Sequence, residues 1–153
     1  MNNNLSNLLT ISRIAIIPII LVMIIFKNPI TSWVAFILFV IAGITDFIDG
    51  YLARLRKEET DFGTFFDPIA DKLLVSSVIL VLTAIGTIQS WLTIPALIIL
   101  LREIIVSGLR EFLAGIKVSV PVSRIAKFKT TIQIISLAVL ILSEGEKDIE
   151  FLL

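Results

Sequence analysis

Asp46-Phe47-Ile48-Asp49-Gly50-Tyr51-Leu52-Ala53-Arg54 and, eight residues on, Gly63-Thr64-Phe65-Phe66-Asp67-Pro68-Ile69-Ala70-Asp71 decide how this chain is read. Asp46, Asp49, Asp67 and Asp71 stand at fixed spacings at the two ends of this region, in a chain that is otherwise mostly apolar. The mean hydropathy is +1.02, so most of the chain belongs in lipid. Ionisable groups inside a membrane segment are costly and mark function by default. Asp46 and Asp49 stand three apart, and Asp67 and Asp71 four apart, so each pair shares a helix face. Two antiparallel helices joined by Arg54–Phe66 would bring both pairs to one point. Four such acids repel unless a cation sits among them. The chain has no His and no Cys. Hard oxygen ligands alone suit magnesium or manganese rather than zinc.

Two such ions can hold a pyrophosphate and stabilise both the attacking and the leaving oxygen of a displacement. Gly50 and Ala53 keep the surface low beside the acids, and Arg54 offers a planar donor fork for a phosphate. The bland alternative is a helix hairpin whose loop merely carries charge. It leaves the small residues at those offsets, and the acids on an apolar helix, without a reason.

Composition narrows the rest. At 153 residues a single domain, 1–153, is expected. Without Cys or His, disulfides, thiol catalysis, zinc centres and Ser/His/Asp triads are excluded. Thirteen basic and thirteen acidic residues cancel, so no nucleic-acid partner is implied. The N-terminus is polar and Asn-rich with no basic region before the first apolar run, which reads as a retained span rather than a signal peptide.

Five apolar stretches are legible: about Leu8–Phe26, Thr31–Arg54, Asp67–Ile88, Trp91–Ala114 and Ile125–Leu142. Lys27-Asn28-Pro29 and Gly86–Ser90 read as turns, residues 56–61 and Gly115–Ser123 as loops, and Pro68 as a first-turn residue. Ser143–Asp148 reads as a polar break before a further apolar start at Ile149. The fold expected is all-α, a polytopic transmembrane helix bundle with five visible spans. Placing the N-terminus in the cytoplasm puts Arg56, Lys57, Lys117 and most other cations on that side, as positive charge requires. The acids then face the cytoplasmic leaflet.

A second basic set accompanies them. Arg102 and Arg110 are two turns apart on the fourth stretch, about 12 Å along the axis. Lys127 and Lys129 open the fifth. Together they form a candidate anion pocket for a phosphorylated acceptor. The alternative is snorkelling to headgroups, which suits Lys129, Lys117 and Arg124 at least as well. Glu103 and Glu111 read as charge compensation. Asn7, Thr10 and Arg13 read as a wet helix end, and Thr130, Thr131 and Gln133 as interhelical hydrogen bonds.

The pattern Asp46-x2-Asp49-Gly50-x2-Ala53-Arg54-x8-Gly63-x3-Asp67-x3-Asp71 resembles the full signature of the CDP-alcohol phosphatidyltransferase family. Asn7–Arg13 is similar to the family's opening. Arg102–Glu111, Val120–Ser123 and Lys127-Phe128-Lys129-Thr130-Thr131-x-Gln133 look like its phosphatidylglycerophosphate synthase branch. The resemblance covers almost the whole chain, with Ala126 where the family often has Gly. It implies transfer of a phosphatidyl group from CDP-diacylglycerol to sn-glycerol 3-phosphate, releasing CMP. It implies that Asp46, Asp49, Asp67 and Asp71 ligate two divalent cations, Mg or Mn, with Asp71 also the general base. It implies that Gly50, Ala53, Arg54 and Gly63 seat CDP-diacylglycerol, while Arg102, Arg110 and Lys127 would take the glycerol phosphate. A homodimer in the cell (inner) membrane is implied, and six spans, so that Ile149–Leu153 looks like a sixth cut short. A cardiolipin synthase using phosphatidylglycerol, or an inactive truncated paralogue, are the alternatives weighed. The Arg102–Arg110 pair favours a phosphomonoester acceptor, and the intact signature favours activity.

Overall fold

A computed structural model describes residues 3–56, 61–116 and 124–152. The side chains of 1–10, 46–68, 71, 111, 114, 117–127 and 146–153 lie outside that description. The described residues form five long helices: α1 (Asn3–Ile25), α2 (Pro29–Arg56), α3 (Asp61–Ala84), α4 (Thr93–Gly115) and α5 (Arg124–Leu152). A short 3₁₀ turn, Ser90–Leu92, leads into α4. There is no strand among the described residues. The fold is an all-α membrane helix bundle, as expected.

Local chemistry fixes the turns. Asn28 accepts a hydrogen bond from the Ile30 N–H at 3.0 Å through its side chain, and Pro29 opens α2 where a missing N–H costs nothing. Lys27 takes a left-handed φ of 52° to end α1. At the end of α3, Gly86 (φ 84°) lets Thr87 N–H reach the Leu82 carbonyl at 2.9 Å and Gly86 N–H reach Thr83 at 3.2 Å. That paired pattern is the Schellman closure, and glycine is the residue that adopts it without a Cβ penalty.

α2 lies between α1 and α5, α1 also packs on α3, and α4 leans more lightly on α3. Ile20, Ile24, Phe39, Val78, Leu82 and Ile141 are fully buried and form the centre of the core. No side chain from Ser90 to Arg110 is buried, although the stretch is strongly apolar. Exposed Ile94, Leu97, Ile98, Ile104 and Ile105 suit lipid rather than water. Ser90–Arg110 and Phe128–Gly145 are long and apolar enough to cross a membrane. Ile11–Ile25, Pro29–Thr45 and Lys72–Ala84 are shorter apolar runs.

The helices outrun three expected boundaries. α3 starts at Asp61, so Pro68 sits two turns inside it and only residues 57–60 separate α2 from α3. The polar segment Ser143–Asp148 is helical and carries α5 unbroken to Leu152. Ser, Glu, Lys and Asp there have no proline among them, and a single Gly145 does not stop a helix held by packing.

Gly145 marks the tightest contact. A Cβ there would stand 2.9 Å from Ser32 Cβ and 3.0 Å from Pro29 Cα, so α5 rests on the first turn of α2. Close approach through small residues is how helices associate in lipid. Lys27 adds a clasp, donating to the Ile85 carbonyl at 2.7 Å with its Nζ 3.8 Å from the buried Glu144 carboxylate. Gly145→Val should cost about 1–3 kcal/mol through overpacking against backbone that cannot yield. Gly108→Ala, where a Cβ meets nothing within 4 Å, should be neutral or stabilising by up to about 1 kcal/mol. Thermal unfolding of both variants in detergent checks the pair. Equal midpoints would mean that the α2–α5 contact is not tight.

Candidate active site

The α2–α3 hairpin sets the acids by register. Asp46 stands ten residues before the end of α2, and Asp71 ten residues after the start of α3. Each is about 15 Å along its helix from the connection at 1.5 Å per residue. Asp49 and Asp67 lie nearer the connection, seven and six residues from the helix ends. Counted from the facing helix ends, the acid pairs therefore stand at corresponding positions along α2 and α3. Gly50, Ala53 and Arg54 lie in the last turns of α2 and Gly63 in the first turn of α3. The side chains of these residues lie outside the described set. Among the described residues no cluster of three metal-ligating side chains occurs.

The second basic set is better defined. Arg102 and Arg110 both belong to α4, but their surroundings differ. The Arg102 side chain is 45 % exposed, with Nη1 3.6 Å from the Glu103 carboxylate. Arg110 is partly buried, and its Nε is buried with no hydrogen-bond partner. Lys129 of α5 is ion-paired and hydrogen-bonded to Glu103 of α4. Glu103 thus compensates two cations, as expected from sequence. Lys129 is committed to it, which leaves Arg110 as the described cation of the set without an ion pair. The side chain of Lys127 lies outside the described residues.

Two readings from sequence change. Arg13 is buried, with 4 % of its surface accessible, rather than sitting at a wet helix end. α1 packs against both α2 and α3, so the Asn7-Thr10-Arg13 stripe belongs to a helix that faces the bundle. Gln133 leaves its donor unused: its Nε2 is buried without a partner among the described residues, while Thr130 and Thr131 are both engaged. Lys72 was not singled out at all. It follows Asp71 directly and lines a cavity with Ser76, Glu103 and Gln133. Its only sequence signal is a lone cation adjoining the last acid of the motif.

The sequence profile of the CDP-alcohol phosphatidyltransferases matches residues 3–153. The chain belongs to the CDP-alcohol phosphatidyltransferase family. A Rickettsia felis protein named CDP-diacylglycerol–glycerol-3-phosphate 3-phosphatidyltransferase is 50 % identical over 151 residues, covering 99 % of this chain and 82 % of that protein. Proteins of the same name from Cereibacter sphaeroides and Escherichia coli K12 are 43 % and 42 % identical. They cover 98 % and 90 % of this chain, and 68 % and 76 % of their own lengths. Membership makes the chain a transferase of the phosphatidyl-transfer class.

Proposed function

We propose that the chain transfers the phosphatidyl group of CDP-diacylglycerol to sn-glycerol 3-phosphate, giving phosphatidylglycerophosphate and CMP. The observation that carries this reading is identity near one half, over nearly the whole chain, to proteins named for that reaction. The intact acid signature at corresponding positions along α2 and α3 supports it.

Asp46, Asp49, Asp67 and Asp71 would hold two divalent cations, Mg or Mn. An all-carboxylate donor set with no His or Cys in the chain fits hard ions. When bound, such ions neutralise the pyrophosphate and stabilise charge on the attacking and leaving oxygens. Gly50, Ala53, Arg54 and Gly63 would seat the nucleotide, the small residues by allowing close approach and Arg54 by its donor fork. Asp71 would take the proton from the acceptor hydroxyl, because geometry ranks before pKa for a base inside the site. Arg110 would bind the acceptor phosphate, with Lys127 and Arg102 near it. The active site would face the cytoplasm from five spans of the cell membrane, and the working form would be a homodimer.

Removal of divalent cations should abolish CMP release, and magnesium or manganese should restore it. The test is CMP formation from CDP-diacylglycerol in detergent, with glycerol 3-phosphate, phosphatidylglycerol, serine or inositol phosphate offered in turn. Release with glycerol 3-phosphate alone is expected. Release with phosphatidylglycerol instead would move the chain to cardiolipin synthesis.

Arg110→Ala removes a charge-assisted contact of about 1.5–3 kcal/mol, a loss of roughly 10- to 150-fold. The KM for glycerol 3-phosphate should rise far more than that for CDP-diacylglycerol. An equal rise in both would place Arg110 on the nucleotide side.

Asp71→Asn keeps the size of the side chain and one ligand oxygen but removes the base. Turnover should fall by roughly 10²–10⁴ while CDP-diacylglycerol binding holds within a few-fold. Collapse of nucleotide binding along with turnover would make Asp71 chiefly a ligand.

A further inference from the structure

A cavity of about 20 Å³ lies between α3, α4 and α5, lined by Lys72, Ser76, Glu103 and Gln133 together with apolar residues that include Ile79 and Leu100. Three of its features stand out together. The Nε2 of Gln133 is buried and has no partner, which is costly for an amide donor. Glu103 presents a carboxylate that Lys129 engages, and a carboxylate has more lone pairs than one ammonium uses. The Ser76 hydroxyl is already spent on the Lys72 carbonyl. The cavity therefore offers the partnerless Gln133 amide as a donor and the Glu103 carboxylate as an acceptor, with Lys72 also on its lining.

Its position ties it to the acid motif from two sides. Lys72 follows Asp71 on α3. Gln133 precedes Ile134 on α5, and Ile134 lies 3.8 Å from where a Cβ on Gly43 would stand. Gly43 is one helical turn before Asp46 on α2. The cavity's lining thus belongs to the stretches of α3 and α5 that adjoin, in sequence or by contact, the segments carrying Asp71 and Asp46. Its size admits one group the size of a water molecule and no phosphate. A donor and an acceptor facing one small space match a hydroxyl, which accepts one hydrogen bond and donates another.

We propose that Gln133 and Glu103 bind the middle hydroxyl of the glycerol 3-phosphate acceptor, Gln133 donating to its oxygen and Glu103 accepting its proton. Gln133 is then a specificity-determining residue. The inference rests on the acceptor reading above. A site built to hydrogen-bond a hydroxyl rejects the analogue lacking it, because its own polar groups are left unpaired.

The experiment compares sn-glycerol 3-phosphate with 3-hydroxypropyl phosphate, which keeps the reacting alcohol and the phosphate but lacks the middle hydroxyl. The full chain in detergent is supplied with CDP-diacylglycerol and magnesium, and kcat/KM is measured for both acceptors. Wild type should prefer glycerol 3-phosphate by at least about tenfold. Gln133→Met, close to the same volume with no donor, should lose about 3- to 10-fold with glycerol 3-phosphate and stay within twofold with the analogue. The KM for CDP-diacylglycerol should not move. If the Met variant does not fold, Gln133→Leu also removes the donor without adding charge and carries the same expectation. Equal losses with both acceptors would make Gln133 structural or water-bound and overturn the proposal, as would an unchanged acceptor ratio. Wild type that releases CMP with neither acceptor would overturn the acceptor reading itself, and this inference with it.

Discussion

The contact of α2 with α5 sets the height of the polar groups in this bundle. In lipid there is no apolar gain in pressing two helices together, so they associate where small residues let backbones approach. Ser32, Gly145, Ala35, Ala42 and Ala138 are buried, and Gly43 lies against Ile134. This seam fixes the register of α5 against the helix that carries Asp46 and Asp49. Gln133 and Lys129 thereby stand level with the acid end of α2. Lys27 holds the other end, joining the α1–α2 turn to the last carbonyls of α3 and to Glu144. The two ends divide the labour: one is locked by packing and a clasp, and the other holds the charge.

Charge accounting then separates cations that look alike in sequence. Lys129 is bound to Glu103, and Arg102 lies beside the same carboxylate while remaining largely exposed. Both are partly neutralised before any ligand arrives. Arg110 carries no ion pair among the described residues and keeps a buried donor without a partner. A group in that state gains most from a phosphate, since the cost of its burial is already incurred. Arg102 instead offers a hydrated charge at the lipid boundary, where snorkelling is sufficient reason for an arginine.

The helical character and the acid motif were legible because both rest on local pattern: long apolar runs, and acids at three- and four-residue spacing. The helix ends were less so. Residues 61–66 and 143–152 are polar or mixed, and propensity alone does not decide whether such a stretch joins a neighbouring helix. Here α3 begins at Asp61 and α5 runs on through Gly145, which packs on Pro29 and Ser32, residues distant in sequence. Arg13 and Gln133 were misread for the same reason. Their roles depend on which helix lies opposite, and hydropathy carries no such information. Lys72 gives no signal of its own in the sequence, because a cation beside Asp71 reads as its counter-charge.

Selectivity in a reaction of this kind is a matter of position more than of acidity. Water can attack an activated pyrophosphate as well as an alcohol can, so an acceptor must outcompete the solvent at the reacting atom. Holding a reactant in place supplies several kcal/mol toward a displacement, provided the reacting atom is fixed closely. A phosphate contact at one end of glycerol 3-phosphate leaves the rest of the molecule free to rotate. A second contact at the middle hydroxyl removes that freedom and aims the terminal alcohol. The cavity between α3, α4 and α5 has the size and the donor–acceptor character for that second contact, and Lys72 on its lining follows Asp71 in the chain. A bundle so arranged would orient its acceptor at a carboxylate already compensated by Lys129 and leave the unpaired guanidinium of Arg110 for the phosphate. This separation adds no uncompensated charge beside the acids in a low-dielectric site.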